Sequence, residues 1–530
     1  MPITASILAT AASHPDRLAI VGGDDRLTYA ELVADSRAVF AAVDALHRAQ
    51  PAPPTPAPET AGVPITAVSH TSAFLTARIV AGLAGFRAVS ATIDPRCPLS
   101  HQVGIIRATG IGVVISDSPA LAEALAASAW TGTVISAAAF ESAVTARRSG
   151  PDLPAPSVRA PAEPFLMLFS SGTTSNPKAF IKTREQYRAN VAVSAAHLEP
   201  LPGVATLAPG PVSYSLTLYA VIESLATGGT IHVADEFDPA AMGRRIAEEK
   251  ITRIVAVPAI VRALAEAAGR DPARFAGLDL VVSGGANLPA VIRDRLGEVL
   301  PDTRLISYYG AAEIGFIGDS RAGDGTWITI YPTIGAQIRD DSGSPVPDGE
   351  LGTLWILAAA CSEGYVTGTS TEVLRGPDGW ATVDDQGRMD GGLLQLAGRA
   401  GDIAVTGGHK VSLPEVERAY GTVPHLGEVV AIALPDANLG TVVALVIEDG
   451  GDQSTPESMQ DPMQEPESTS ESMSSLPDKA ALLAHGRTQL APQFVPRRFY
   501  VLDRLPRTVG GKIRRAETVD LIVNDQGRRL

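Results

Sequence analysis

The chain has 530 residues, 45% of them hydrophobic, and its 43 basic and 58 acidic residues give a net charge of −15. This length exceeds the size at which a single hydrophobic core stops growing, so we expect at least two domains. The acidic balance argues against a nucleic-acid-binding surface, and an anionic ligand must be held by local groups.

Cysteine usage and the lack of long apolar runs exclude further classes. The two cysteines, Cys97 and Cys361, have neither metal-ligand nor redox spacing, which argues against a zinc site and a disulfide framework. The N-terminus lacks the pattern of a signal peptide, and no stretch approaches the roughly 20 apolar residues that span a bilayer. We expect a cytoplasmic protein without an integral membrane segment.

The first 300 residues alternate between strand and helix patterns. Residues 17–48 predict a strand, a polar turn and an amphipathic helix, whereas the Pro-rich residues 49–60 predict an exposed loop. Short apolar runs separated by helical stretches return at 63–117 and at 226–300, where helices are expected over 238–250 and 258–268. This alternation favours largely parallel sheets covered by helices, in two related α/β layers.

The pattern changes in the second half of the chain. Residues 323–398 contain short β-rich segments with turn residues, which predicts a β-rich subdomain. A further α+β pattern begins near 400, and it is interrupted at 450–478 by a Ser-, Glu-, Met- and Pro-rich stretch, typical of a disordered, solvated insertion. We therefore predict an α/β fold with a large N-terminal domain, 1–399, and a small mobile C-terminal domain, 400–530.

The segment LMLFSSGTTSNPKAF, residues 166–180, carries the clearest chemical pattern. An apolar strand enters a Gly-, Ser- and Thr-rich turn that ends at Lys178. Converging backbone amides, hydroxyl groups and a lysine ammonium together suit a polyphosphate. Taken alone, the composition also suits an ordinary surface turn, and the GxxxxGK[ST] spacing of P-loop nucleotide hydrolases is absent.

Four later segments complete an ordered set: SYYGAAEIG at 307–315, VDDQGRMDGGLLQLAGRAGD at 383–402, TGGHKVSLPEVE at 406–417 and LPRTVGGKIRR at 505–515. With residues 166–180 they resemble the motifs of the adenylate-forming superfamily of acyl-CoA synthetases, luciferases and peptide-synthetase adenylation domains. The phosphate loop of that family commonly reads YTSGTTGxPKG. In this chain Ser175 and Ala179 stand where glycine is usual, and Ala312 replaces the usual Thr or Ser.

The resemblance implies roles in binding ATP and Mg²⁺. Tyr309 would stack on adenine, the turn at Gly285 and Ala286 would cover its other face, and Glu313 would hold the magnesium, since Mg²⁺ prefers carboxylate and phosphate oxygens. Without the resemblance, Glu313 would be a chance acid at a strand end. The predicted nucleotide-binding residues are Ser170, Ser171, Gly172, Thr173, Thr174, Gly285, Ala286, Tyr309, Asp385, Arg399, Gly408 and Lys410.

The last three motifs imply residues for the ribose, the reaction and the domain movement. Asp385 matches the acid that binds both ribose hydroxyls, and Arg399 matches the arginine near the ribose and phosphate. Lys512 would contact the carboxylate and phosphate during adenylation, with Lys178 and Glu313 as the other catalytic residues. Gly401 aligns with the family's hinge, and residues 406–411, with Gly408 and Lys410, would line the thiol tunnel.

The acid substrate is less defined by the sequence. Residues 208–221, APGPVSYSLTLYAV, contain no acidic residue to pair with a substrate ammonium, which disfavours an α-amino acid. Tyr214, Ser215 and Gly310 are predicted to border the acyl pocket. Small and apolar neighbours suit an aliphatic or aryl acid, although the same residues also suit plain core packing.

The sequence thus predicts an AMP-forming acid–thiol ligase that uses ATP and Mg²⁺. Coenzyme A is the first candidate for the thiol. The alternative is a stand-alone enzyme that loads a fatty, aryl or unusual amino acid onto a separate carrier protein. A different class, a non-catalytic nucleotide sensor, is expected to have lost Lys178, Glu313, Asp385 or Lys512, and all four are present.

Overall fold

The computed structural model describes residues 3–148, 150, 153–170, 178–321, 327–406, 409–424, 426–436, 440–449, 476–490, 492, 494–508 and 512–530. The chain divides into two compact units. Unit 1 comprises Met1–Glu350, Leu354–Val383 and Met389–Gln395, and unit 2 comprises Leu351–Thr353, Asp384–Arg388 and Leu396–Leu530. The predicted boundary at residue 399 stays a prediction.

The described α-helices are α1 Thr4–Ser13, α2 Tyr29–Arg48, α3 Ala73–Leu83, α4 Leu99–Thr109, α5 Pro119–Ala126, α6 Ala137–Arg148, α7 Arg184–His197, α8 Ser215–Thr227, α9 Pro239–Glu248, α10 Pro258–Arg270, α11 Ala290–Val299, α12 Leu413–Tyr420, α13 Lys479–Gln489 and α14 Arg515–Val523. Short 3₁₀ turns cover Pro58–Thr60, Pro272–Phe275 and Ala400–Asp402.

The described strands are β1 Leu18–Gly22, β2 Asp25–Thr28, β3 Ile65–Val68, β4 Val89–Thr92, β5 Val113–Ile115, β6 Thr133–Ile135, β7 Pro164–Phe169, β8 Ala179–Thr183, β9 Ala205–Ala208, β10 Thr230–Val233, β11 Arg253–Ala256, β12 Leu280–Ser283, β13 Arg304–Ala311, β14 Gly315–Ser320, β15 Trp327–Ile330, β16 Gly335–Arg339, β17 Gly352–Leu357, β18 Asp385–Asp390, β19 Leu393–Arg399, β20 Ile403–Thr406, β21 His409–Ser412, β22 Val429–Asp436, β23 Gly440–Glu448, β24 Arg498–Leu502 and β25 Arg528–Arg529.

The first sheet of unit 1 has the order β6-β5-β3-β4-β7-β8. All neighbours in it are parallel except β7 and β8, which form an antiparallel pair. Parallel strands need crossover connections, and the helical stretches between the apolar runs of residues 63–117 supply them. The parallel α/β arrangement predicted for this region is confirmed.

The second sheet of unit 1 includes the order β15-β14-β13-β12-β11-β9-β10-β1-β2. Strands β13 to β1 in that order are parallel, with register pairs such as Val255 with Val282 and Ile20 with Ile231. Helices α9 and α10 begin and end within two residues of the predicted helices at 238–250 and 258–268. Strand β2, which pairs antiparallel with β1, adds a hairpin where only a polar turn was predicted.

Two helices of unit 1 are enclosed on nearly every side. Almost all residues of α3 are buried, as are Thr217–Leu225 of α8. A helix that is apolar all round belongs in the core. One hydrophobic cluster accordingly joins residues of these helices to Phe165 on β7 and to Ile231 on β10, so both sheets contribute to a common core.

The Pro-rich stretch at 49–60 is a loop, as predicted, but the prediction that it is exposed is wrong at three positions. Gln50, Ala57 and Thr60 are buried. The Gln50 amide donates to the carbonyl of Gly112 at 2.6 Å, and the backbone amide of Ala57 donates to the carbonyl of Thr109 at 3.1 Å. These bonds fasten the loop to the first sheet, which its composition alone does not indicate.

The segment predicted as β-rich holds β15 to β19. Strand β15 pairs antiparallel with β14 and, through Leu393–Gln395, with β19, so this region continues the second sheet of unit 1. Elsewhere in the described chain, Cys97 and Cys361 are not joined in a disulfide. No described helix is long and apolar enough to cross a membrane.

Unit 2 is built on the sheet β22-β23-β24-β25, with a separate β20-β21 hairpin. Helix α12 packs with β22 and β23 in a cluster that includes Val416, Tyr420 and Leu445. Residues 450–475 of the predicted insertion lie outside the described residues. At its far end, the Asp478 carboxylate accepts from the Ala481 amide at 2.8 Å and caps α13.

Strand β10 carries a buried histidine that makes stability depend on pH. His232 is 1% exposed, and burial, aided by the charges of Arg245 and Arg26, lowers its pKa to about 3. The unfolded chain takes up a proton near pH 6.5, whereas the folded chain does not, so the stabilisation is present above pH 6.5 and is lost as pH falls.

The free energy of unfolding is expected to fall between pH 7 and pH 5. We predict that this fall is smaller by about 2 kcal/mol in His232→Leu than in the wild type. Urea titration at several pH values measures the slope. His14→Leu, at an exposed histidine, is the control and should leave the slope unchanged. An unchanged slope in the His232 variant would refute the prediction.

Candidate active site

The predicted phosphate loop lies between β7 and β8, which pair antiparallel. The Ser170 amide donates to the Lys178 carbonyl at 2.8 Å, and the Lys178 amide donates to the Ser170 hydroxyl at 3.3 Å. These two bonds close the base of the loop. Of the predicted loop residues, Ser171, Gly172, Thr173 and Thr174 lie outside the described residues, so the structure locates the two ends.

The Lys178 side chain lies beside a carboxylate and an aromatic ring. Its ammonium forms an ion pair with Glu372 and sits 5.3 Å from the centroid of the Tyr365 ring. The lysine side chain is 18% exposed and Glu372 is 47% exposed, so the pair is open to water on one side. The positive charge is thus directed to the surface at the base of the loop.

Glu313 is held through its side chain and its backbone. It is 7% exposed, and its carboxylate accepts a hydrogen bond from the Tyr365 hydroxyl at 3.3 Å. Its carbonyl accepts from the Lys182 ammonium at 2.7 Å and from the Ser362 amide at 2.9 Å. Tyr365 therefore connects the two predicted residues, because its ring faces Lys178 and its hydroxyl reaches Glu313.

Sequence reasoning missed Tyr365, Glu372 and Lys182. Tyr365 forms an antiparallel bridge with Phe180, and the Val366 amide donates to the Ala179 carbonyl at 2.7 Å. Through this pairing, the segment after Gly364 lies along β8 and next to Lys178. The available signal in the sequence was the polar run TGTSTE at 367–372, which begins two residues after Tyr365.

The predicted adenine turn follows β12. Gly284 gives the Tyr308 ring room, because a Cβ there would lie 2.3 Å from that ring, and Gly285 has a φ of +80°, which favours glycine. Gly285 and Ala286 are exposed. Since β12 pairs in parallel with β13 in the register Ser283 with Ser307, β12 ends beside Ser307 and the turn begins next to Tyr308.

Tyr309 and Tyr308 point to opposite faces of β13, since successive side chains of a strand alternate. Tyr308 packs edge-on against Phe316 at 4.9 Å, whereas Tyr309 is half-buried. The fold thus brings Tyr309 to the edge of the sheet where the Gly285 turn also lies. Gly310 has a packing role as well, because a Cβ there would lie 2.6 Å from the Gly315 carbonyl oxygen.

The predicted acyl-pocket residues Tyr214 and Ser215 begin helix α8. Burial and the neighbouring Asp94 carboxylate, to which the Tyr214 hydroxyl is hydrogen-bonded, raise the pKa of Tyr214 above its ordinary value. Asp94 in turn accepts from the Arg96 guanidinium at 2.9 and 3.0 Å. Leu216 lies beside the Gly285 turn, 3.8 Å from where a Cβ would stand. The start of α8 therefore adjoins the adenine turn.

Unit 2 brings together three predicted residues. The Arg399 guanidinium donates to the Asp385 carboxylate at 3.2 Å. Displacement of water by neighbouring protein, and then the positive charge of Arg399, lower the pKa of Lys512, while the charge of Asp385 opposes the shift. The Thr508 amide donates to the Lys512 carbonyl at 2.7 Å, which closes the turn that presents this lysine.

The remaining predicted residues of unit 2 are only partly described. Gly401 lies in the Ala400–Asp402 turn, and among the described residues other than its chain neighbours no atom stands within 4 Å of where its Cβ would be. Asp402 accepts from the Arg515 guanidinium at 2.8 Å, which ties the residue after Gly401 to α14. Gly408 lies outside the described residues. Lys410 belongs to β21, but its side chain is also outside the description.

Comparison with known proteins identifies relatives along most of the chain. A family model described as AMP-binding enzyme matches residues 7–366, and one described as AMP-binding enzyme C-terminal domain matches residues 415–512. A feruloyl-CoA synthase from Amycolatopsis sp is 27% identical over 518 residues, which is 96% of each chain. A salicylyl-CoA synthase / salicylate adenylyltransferase from Streptomyces sp is 31% identical over 371 residues, 67% of this chain but only 63% of that protein.

The fold is shared with solved structures. ATP-bound MatB from Rhodopseudomonas palustris superimposes with a TM-score of 0.80 over 98% of this chain and 99% of the other, at 20% sequence identity. At that identity the likeness concerns the fold alone. It agrees with the mixed α/β class predicted from the sequence.

The close approach at Gly284 gives a prediction about the adenine turn. Gly284→Ala should lower the free energy of unfolding by about 1–3 kcal/mol, because the new methyl group would overlap the Tyr308 ring. Gly297→Ala, the same change on α11 where nothing lies within 4 Å, should instead raise stability by roughly 0.5–1 kcal/mol. Urea unfolding measures both. Equal stabilities for the two variants would contradict the geometry of the turn.

Proposed function

The chain belongs to the AMP-binding enzyme family, and from this premise we propose that it converts ATP and a carboxylic acid into an acyl-adenylate and then transfers the acyl group to a thiol. The reaction is that of an AMP-forming acid–thiol ligase, with coenzyme A as the first candidate acceptor. The observation that carries the proposal is the Lys178–Tyr365–Glu313 arrangement, which joins a cation to a carboxylate at the base of a hydroxyl-rich loop.

Lys178 is proposed to bind the phosphates of ATP. An ammonium that is open to water on one side attracts phosphate oxygens, and in this site Glu372 holds that position when no anion is bound. ATP would therefore exchange one anionic partner of Lys178 for another. This exchange leaves no lysine charge uncompensated before or after binding.

The donor set near Glu313 suits a magnesium ion that arrives with ATP. Among the described residues, no three histidine, cysteine or acidic side chains form a metal-holding group. Mg²⁺ bound with a nucleotide commonly takes only one or two protein carboxylates and completes its shell with phosphates and water, so a single carboxylate fits. When bound, the ion would neutralise charge on the phosphate oxygens. Tyr365 would keep the Glu313 carboxylate in place.

Asp385, Arg399 and Lys512 are proposed to serve the ribose and the reacting phosphate. The two oxygens of Asp385 suit the vicinal hydroxyls of a ribose, and Lys512 would stabilise charge that develops at the α-phosphate. Lys512 is exposed to solvent, and nearby protein together with the positive charge of Arg399 lowers its pKa. An incoming anion would compensate the positive charges of Lys512 and Arg399.

In the first half-reaction, a carboxylate oxygen of the substrate bonds to the α-phosphorus of ATP, and the bond from that phosphorus to the pyrophosphate oxygen breaks. In the second, the thiol sulfur bonds to the acyl carbon, AMP leaves, and the thiol proton passes to solvent. No protein nucleophile is required. The residues contribute positioning and charge neutralisation.

The contacts of Tyr214 support an acid without a positive charge. The Tyr214 hydroxyl is hydrogen-bonded to the Asp94 carboxylate, which also binds the Arg96 guanidinium through both oxygens. It is thus compensated and offers little to a substrate ammonium, whose burial without a counter-charge is costly. The two relatives named above carry the names of aryl acids, salicylate and ferulate, so we propose an aryl acid as the first substrate class.

The proposal of a thiol acceptor is based on the segment that follows residue 400. By resemblance, the hinge at Gly401 lets residues 406–411 replace Lys512 at the site during the second half-reaction. An exposed glycine with open space around it tolerates a wide change of backbone angles. A separate carrier protein with a phosphopantetheine thiol is the alternative acceptor, and the experiment below distinguishes it from coenzyme A.

Pyrophosphate exchange tests the role of Lys512. Lys512→Ala should lower the exchange rate about 10²–10³-fold, the usual effect of losing one contact to a developing charge. Lys479→Ala, at another lysine of unit 2, is the matched control and should exchange at the wild-type rate. Circular dichroism should show both variants folded. Near-normal exchange by the Lys512 variant would remove this residue from the mechanism.

An exchange panel over aryl, fatty and amino acids tests the function itself. We expect exchange with salicylate- or ferulate-like acids and none with common α-amino acids. Thioester formation is then measured with coenzyme A and, separately, with a phosphopantetheine-bearing carrier protein, and coenzyme A should be the better acceptor. Exchange with amino acids only would contradict the substrate class, and no exchange with any acid would favour a non-catalytic nucleotide sensor.

A further inference from the structure

Lys178 immediately precedes strand β8, and Phe180 and Lys182 lie within it. The three residues are spaced by two, so their side chains are expected on one face. Their contacts agree with this, because Lys178 lies over the Tyr365 ring and the Lys182 ammonium lies 5.9 Å from the centroid of the Phe180 ring. One lysine faces the surface, and the other faces the interior beneath Glu313.

Lys182 is 1% exposed, and its ammonium bonds to two backbone carbonyls. It donates to Glu313 at 2.7 Å and to Ala360 at 2.6 Å. These two carbonyls belong to separate segments of unit 1, the turn between β13 and β14 and the turn after β17. A single side chain therefore fastens both turns to the strand that carries the phosphate loop.

Stability of the fold alone does not explain a buried lysine at position 182. A buried ammonium loses most of its hydration, a cost that an apolar side chain would not carry. A methionine there would avoid this cost but would leave the two carbonyls without the lysine donor. The bonds of Lys182 fix the backbone of Glu313, whose carboxylate accepts from the Tyr365 hydroxyl.

Glu313 is consequently held at both ends. Lys182 and the Ser362 amide bind its carbonyl, and the Tyr365 hydroxyl binds its carboxylate. Between these anchors the side chain has little freedom to turn away. A carboxylate fixed in this manner pays less ordering entropy when it takes up a cation.

We propose that Lys182 is a positioning residue that, through the backbone of Glu313, sets the affinity of the site for the divalent cation that accompanies ATP. The proposal rests on the proposed function, because it assigns the cation to Glu313. Lys182 touches neither ATP nor the acid in this scheme. Its removal should change the cation requirement more than the maximal rate.

Arg184, two residues further along the chain, provides a matched control. It is also fully buried, and its guanidinium donates to the backbone carbonyls of Ala84 and Phe86 and, at 3.0 Å, to the Glu163 carboxylate, none of which belongs to Glu313. Lys182→Met and Arg184→Met each remove a buried cation that bonds two carbonyls. Both should lower the melting temperature, but only the first removes a bond to Glu313.

We expect Lys182→Met to raise the Mg²⁺ concentration for half-maximal pyrophosphate exchange at least tenfold, with a smaller change in the rate at saturating Mg²⁺. Arg184→Met should stay within twofold of the wild type. Lys182→Arg, which keeps the charge and the donors, should restore part of the affinity. Calorimetric titration of ATP with and without Mg²⁺ gives a readout independent of turnover, and the gain in ATP affinity on adding Mg²⁺ should shrink in Lys182→Met.

If the wild type is active and Lys182→Met needs the same Mg²⁺ concentration as Arg184→Met, the proposal is overturned. Absence of exchange in the wild type with every acid would instead refute the proposed function, and calorimetry would still test the role of Lys182. If Lys182→Met does not fold, Lys182→Gln, which removes the charge and keeps two N–H donors on a shorter side chain, takes its place in both measurements.

Discussion

Compensation of lysine and arginine cations by nearby carboxylates and carbonyls recurs in both units of a chain whose net charge is −15. Lys178 pairs with Glu372, and Arg399 pairs with Asp385. Lys182, deeper in unit 1, relies on two backbone carbonyls and on the nearby negative charge of Glu313. Each of these three cations therefore has a partner within the described chain.

The sequence predicted the architecture well where pattern and physics agree. Alternating apolar runs and helical stretches gave the parallel sheets of unit 1, because a buried parallel strand is continuously apolar and its crossover needs a helix. The turn after β12 was also predictable from its two adjacent glycines. Gly284 leaves room for the Tyr308 ring, and Gly285 adopts a positive φ. The hairpin of β1 and β2 was missed because its turn and its polar second strand look alike in sequence.

Other features depend on distant partners and cannot be read locally. Gln50 and Thr60 lie in a Pro-rich stretch, and only their fit against the first sheet shows that they are buried. Tyr365 lies 52 residues from Glu313 and joins it only because its segment pairs with β8. In the sequence, Lys182 is a single charged residue near the polar end of a predicted strand. The neighbouring residues do not indicate that its ammonium bonds to carbonyls of two turns that are distant in sequence. Long-range pairing of this kind is a property of the folded chain.

These contacts suggest how the site avoids the cost of preparing for a polyanion. A cavity lined by unpaired ammonium groups would be unstable, since each buried charge without a partner costs several kcal/mol. In the proposed scheme, nucleotide binding would replace Glu372 on Lys178 and Asp385 on Arg399 by other anionic or polar partners. Glu313 differs from both, because its backbone and its carboxylate are each held by another side chain. The residue proposed for the cation is thus held at two points, whereas the residues proposed for the nucleotide would change partners.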